Sequence, residues 1–124
     1  MLSRNFRLQR VGNIEWLNRN YNFSNISFFI DELIILDVSR KERDQEKFCE
    51  NIRMVMDGCF VPISAGGGIK KTKQATKLLR CGADKIVVNS IVAEEPQKID
   101  EFASNFGSQC IIVSVDIKKI NDDF

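Results

Sequence analysis

The feature that most limits the folds open to this chain is a recurrence. Asp37, Ser64, Asn89 and Asp116 each close or follow a short apolar run and stand 27, 25 and 27 residues apart. The runs are Glu32–Val38, Phe60–Ser64, Lys85–Asn89 and Cys110–Val115, rich in Ile and Val and without polar alternation. That pattern predicts strands covered on both faces, as in a parallel sheet. A period of this size is one strand plus one helix, so the chain reads as consecutive right-handed βαβ crossovers.

Helical spacing follows each of the first three runs. Phe48, Ile52, Val55 and Met56 fall on one stripe, with Arg43 and Asp44 at its start; Ala75, Leu78 and Leu79 form a second stripe after Lys70. Gly82 stands where a C-terminal cap with positive φ is expected. A third helix is predicted to open at Glu94-Glu95-Pro96, where acidic residues and proline suit a first turn, and to run to Phe106 before Gly107. One further helix is predicted over Ile14–Phe29.

Two folds use such a repeat, an open doubly wound sheet and the closed (β/α)8 barrel. The barrel takes about 250 residues, and the 124 residues here, read as one domain, supply about half of it. Charge is nearly balanced, 18 Lys+Arg against 17 Asp+Glu, which argues against nucleic acid or an anionic membrane as partner. No apolar run approaches the ~20 residues of a membrane span, and Met1–Phe6 lacks the apolar segment of a signal peptide. A cytoplasmic protein is expected. The four cysteines show no Cys-x-x-Cys spacing and His is absent, so no metal site is predicted. The cysteines are read as buried thiols in a reducing compartment, with packing as their role.

Chemistry concentrates at the predicted C-terminal strand ends. In Ser64-Ala65-Gly66-Gly67-Gly68-Ile69 three glycines stand between a strand and a helix, where backbone N–H groups converge and favour an anion such as phosphate. The alternative is a tight turn that needs positive φ. Asn89 and Ser90, one unit later, offer side-chain donors to a phosphate oxygen, or serve as helix caps. Asp37 and Asp116 are placed on the same rim, where barrel enzymes carry catalytic groups and two carboxylates suit acid–base work; the alternative for each is a loop cap. Glu32 and Lys85 stand at the opposite strand ends, a pattern that reads as a stabilising ion pair. Asp84 and Gln109 fall on that same face as exposed loop residues.

Four blocks occur in order: Ile30-Asp31-Glu32-Leu33-Ile34-Ile35-Leu36-Asp37, Ala65-Gly66-Gly67-Gly68-Ile69, Gly82-Ala83-Asp84-Lys85-Ile86-Val87-Val88-Asn89-Ser90 and Phe106-Gly107-Ser108-Gln109-Cys110. Together they resemble the HisF family, the cyclase subunit of imidazole glycerol phosphate synthase. The glycine loop is shared with the sister isomerase HisA; the Gly82-Ala83-Asp84-Lys85 and Phe106-Gly107-Ser108-Gln109 blocks are more specific to the cyclase. The resemblance implies an incomplete (β/α)8 (TIM) barrel covering about strands two to five. It also implies a lyase-type cyclase without metal or cofactor. Such a subunit takes ammonia from a glutaminase partner, HisH, and converts PRFAR, a bis-phosphate, to imidazole glycerol phosphate and AICAR.

Carried over by residue, Gly67, Gly68, Asn89 and Ser90 become a phosphate grip. Asp116 becomes the catalytic acid, and Asp37 an active-site carboxylate. Glu32 and Lys85 become part of a salt-bridged ammonia gate, and Asp84 and Gln109 face the glutaminase. Met1–Val11 looks like the hairpin after the family's first strand. The family's first-strand Asp has no counterpart here, nor do strands six to eight. The chain by itself is therefore expected to turn over little or no substrate, and its sheet edges to favour self-association. Asp37-Val38-Ser39-Arg40 and Ser64-Ala65 look more like second-copy paralogues of surface-polysaccharide gene sets, which implies ammonia delivery to a sugar intermediate as one alternative. A non-catalytic phosphate-binding half-barrel is the other.

Overall fold

The computed structural model describes residues 2–4, 7–9, 13–20, 22–39 and 42–117. An antiparallel hairpin, β1 (Leu2–Arg4) and β2 (Arg7–Gln9), stands apart from the main sheet and pairs Leu2 with Gln9. It matches the hairpin expected over Met1–Val11. The single helix expected over Ile14–Phe29 is instead two, α1 (Ile14–Asn20) and α2 (Phe23–Ile26). Asparagines start both: Asn13 Oδ1 accepts from Trp16 N at 2.8 Å, and Asn22 Oδ1 from Asn25 N at 3.3 Å. Each side chain offers the backbone a new helix start in place of continuation.

The main sheet holds β3 (Leu33–Leu36), β4 (Ile63–Gly66), β5 (Lys85–Val88) and β6 (Ile111–Val113), parallel and in sequential order. Helices α3 (Gln45–Met56) and α4 (Thr72–Arg80) cross between the first three strands. The last crossover holds α5 (Ser90–Glu94), α6 (Gln97–Phe106) and a 3-10 turn at Ser108–Cys110. This is the strand–helix alternation of a (β/α)8 barrel, covering four strands, and the sheet does not close on itself among the described residues.

Several boundaries move from their predicted places. β4 begins after Pro62 rather than at Phe60, because proline lacks the N–H a ladder needs; the Pro62 carbonyl only accepts, from Leu33 N at 3.0 Å. Ser64, Ala65 and Gly66 are consequently inside the strand. The helix expected from Glu94 divides: α5 ends at Glu94, and α6 starts after Pro96.

The core lies between the sheet and its helices. Cys49, Ile52, Ala75, Leu78 and Phe102 pack from the helices onto Ala65, Ile86 and Val88. On α3, Cys49 joins the buried stripe, whereas Met56 is 38% exposed. Asp44 caps α3 by accepting from Lys47 N at 3.0 Å. Gly82, φ +115°, closes α4 in a Schellman arrangement: Ala83 N donates to the Leu78 carbonyl and Gly82 N to that of Leu79. The opposite sheet face is uncovered among the described residues, with Ile34 and Leu36 exposed by 55% and 45%, where the sequence pattern predicts cover on both faces.

The thiol reading is corrected for two cysteines. Cys49 of α3 and Cys81 at the end of α4 form a disulfide, with Cα atoms 5.5 Å apart. Cys59 is buried and Cys110 half-buried, and both are free. No helix among the described residues is long and apolar enough to cross a membrane.

Candidate functional site

Parallel strands deliver all their C-terminal ends to one rim, and four segments meet there. Asp37 follows β3, Gly67 and Gly68 follow β4, Asn89 and Ser90 follow β5, and Asp116 lies beyond β6. These six residues line one cavity of about 360 Å³, a size suited to a small-molecule ligand.

The glycine turn is shaped by its neighbours. Gly67 has φ +123° and Gly68 φ +63°, a region that favours glycine. A Cβ on Gly67 would overlap the Asp37 carbonyl oxygen, and one on Gly66 the Val87 carbonyl oxygen. Gly66 therefore serves close strand approach, and the turn proper is Gly67-Gly68. The start of α4 contributes less to an anion than the sequence suggests. Gln74 Oε1 already accepts from Lys70 N at 2.9 Å and Lys71 N at 3.0 Å.

Asn89 occupies the N-cap position of α5 without making a side-chain cap bond. Its amide instead donates to Asp116 Oδ2 at 3.1 Å. Ser90, the first residue of α5, is exposed to the cavity side. Asp37 Oδ1 accepts from Ser39 N at 2.9 Å, the loop-cap role expected as its alternative, while Oδ2 stands 3.9 Å from Arg43 Nε. Arg43 and Lys70 also line the cavity, and sequence reasoning missed both as site residues. Lys70 forms an ion pair with Glu94 at 2.7 Å.

At the other end of the sheet, Lys85 Nζ donates to Glu32 Oε1 at 3.1 Å, the ion pair expected from their positions. Ser64, wholly buried, donates its hydroxyl to the same carboxylate oxygen. The Ser64 hydrogen bond, followed by the one from Lys85, holds the Glu32 carboxyl below its ordinary value of 4.5. Ser64 is thus part of a Glu32–Ser64–Lys85 cluster, a role unseen when it is read only as a strand end. Asp84 is tied back into the sheet: Oδ2 accepts from Ile63 N at 2.8 Å, and its own N–H donates to the Ile63 carbonyl at 2.7 Å. Gln109 is exposed on the 3-10 turn.

A parallel β/α sheet with a pocket at its C-terminal strand ends and an ion-paired cluster at the opposite end is the framework of a partial (β/α)8 barrel. The chain belongs to the histidine biosynthesis protein family, whose profile matches residues 17–123. It is 46% identical over 123 residues to a Parasynechococcus marenigrum protein named "Putative imidazole glycerol phosphate synthase subunit hisF2", covering 99% of this chain and 46% of that one. A protein of the same name from Campylobacter jejuni is 40% identical over 92% of this chain and 44% of its own length. Imidazole glycerol phosphate synthase subunit HisF of Dictyoglomus thermophilum is 38% identical over 88% of this chain and 42% of its own. The chain spans about half the length of the curated relatives it matches.

Proposed function

We propose that this chain carries one phosphate grip and two acid–base carboxylates of an imidazole glycerol phosphate synthase cyclase subunit. The single observation behind this reading is the cavity that Asp37, Gly67, Gly68, Asn89, Ser90 and Asp116 share. In this reading the Gly67 and Gly68 amides, with Asn89 and Ser90, hold one phosphate of PRFAR. Asp116 acts as the acid, with Asp37 as the second carboxylate. Ammonia from a HisH-like glutaminase enters past Glu32 and Lys85, whose 3.1 Å contact supports a closed gate. Asp84 and Gln109 face that partner, and the protein works in the cytoplasm.

Phosphorus NMR of PRFAR titrated with the chain tests this directly. One of the two phosphate resonances is expected to shift, and the shift to vanish on competition with inorganic phosphate. Two unmoved resonances would remove the reading.

A second reading, ammonia delivery to a sugar intermediate, is favoured by one observation. Two relatives, at 46% and 40% identity, carry the hisF2 name. The same titration with a phosphorylated sugar in place of PRFAR separates the two, since the preferred ligand saturates at the lower concentration.

A further inference from the structure

Arg43 stands in the loop before α3, at no strand end, yet its guanidinium lies over the glycine turn. A Cβ placed on Gly68 would meet its Cζ and Nη1 at 2.5 Å. The missing side chain at position 68 is therefore the space the guanidinium occupies. Its hold on Asp37 is loose: 3.9 Å from Nε to Oδ2 lets the charges attract without a hydrogen bond. Lys70, the other cation of the cavity wall, is bound tightly to Glu94 at 2.7 Å. The amides of Lys70 and Lys71 are taken by Gln74. Among the described residues of this cavity, Arg43 is the cation whose partner stands beyond hydrogen-bonding reach.

We propose that Arg43 is an anion-binding residue of this site, held in reserve by Asp37. A phosphomonoester oxygen seated at Gly67-Gly68 draws the guanidinium from Asp37 into a two-pronged hydrogen bond, the geometry its planar fork favours. The exchange leaves Asp37 Oδ2 without its cation while Oδ1 keeps the Ser39 amide, so ligand arrival and release of that oxygen are one event. The inference rests on the phosphate reading of the glycine turn.

Titration of the full chain with inorganic phosphate, followed by calorimetry, tests it. Arg43→Ala is expected to weaken binding about tenfold, the loss typical of a hydrogen bond to a charged group. Arg43→Lys keeps the charge without the fork and is expected to fall between Arg43→Ala and the unsubstituted chain. Asp37→Asn removes the competitor for the guanidinium and is expected to tighten phosphate binding severalfold. Unchanged affinity in Arg43→Ala overturns the role of Arg43 and leaves the glycine-turn reading standing. Weaker binding in Asp37→Asn overturns the exchange. Absence of phosphate binding by the unsubstituted chain overturns the glycine-turn reading itself, and with it this one. Circular dichroism melts of each variant show that a lost signal is not lost folding.

Discussion

Asn89 donates its side-chain amide to Asp116 Oδ2 across 3.1 Å, joining the ends of β5 and β6. The two residues stand 27 positions apart in sequence. In the proposed reading Asn89 binds the anion and Asp116 transfers the proton, and the contact would couple those tasks. Asn89→Ala is expected to weaken phosphate binding about tenfold by removing a donor, with little change in melting temperature because both residues are exposed. Asn89→Asp places a second carboxylate against Asp116 and is expected to weaken binding further. Calorimetric titration beside a thermal melt checks both, and an unaltered affinity in Asn89→Ala takes Asn89 out of the grip.

Gly67 is where the fold and the site make the same demand. Its φ of +123° strains any side chain, and a Cβ there would overlap the Asp37 carbonyl oxygen. Gly67→Ala is expected to lower stability by about 3 kcal/mol, the upper range for a strained backbone position. Urea unfolding monitored by far-UV circular dichroism measures it. A loss below about 0.5 kcal/mol, the scatter of ordinary surface substitutions, would mean the β3–β4 junction yields more easily than its packing implies.

The Glu32–Ser64–Lys85 cluster makes a pH prediction with a definite sign. The folded-state carboxyl of Glu32 lies below its ordinary 4.5, held there first by Ser64 and then by Lys85. The stabilisation is therefore present above the unfolded value and disappears as pH falls through the folded one. Ser64→Ala removes the largest cause, so the Glu32 titration is expected to move back toward 4.5. The drop in melting temperature on acidification below that pH is expected to shrink as well. Carbon-13 NMR of the Glu32 carboxyl reads the first effect, and an unmoved titration would show that Lys85 alone holds the charge.

The Cys49–Cys81 disulfide closes a loop across 32 residues. On the chain-entropy account, a loop of this length contributes about 3–4 kcal/mol. Dithiothreitol is expected to shift the urea midpoint down accordingly. Alkylation of the unfolded chain without reductant should label only Cys59 and Cys110. Labelling of all four cysteines would show that the pair is reduced.

How much of this was legible in the sequence depends on the range of the interaction. The three strand–helix units and the fourth strand were readable because parallel strands appear as unbroken apolar runs at a fixed interval, and strand ends map directly onto a rim. Asp37, Asn89 and Asp116 could be placed together on that ground. Strand limits were harder. Pro62 delays β4, and Gly66, counted with the turn, belongs to the strand because Val87 passes so close. Arg43 was out of reach, since its position over the turn depends on the absence of a side chain 25 residues later. Cys49 and Cys81 lie on different crossovers, at a spacing that carries no local signal. Asn89 had two readings, cap or binding residue; the rim position of Asp116 was legible, but the side-chain bond between the two is a contact across 27 residues that no local pattern encodes.

The ladder itself has a consequence for the pocket. Ser64 is level with Lys85, Gly66 with Val87, and Val88 with Val113. Each strand thereby acts as a ruler that sets the height of whatever follows it. A slip of one residue would displace a rim group by roughly 3.3 Å and turn it to the other side of the sheet. Asn89 and Asp116 could not then meet at 3.1 Å. That contact is a gauge of correct assembly: a folding intermediate with β6 undocked would hold the glycine turn and Asn89 but have no Asp116 opposite them.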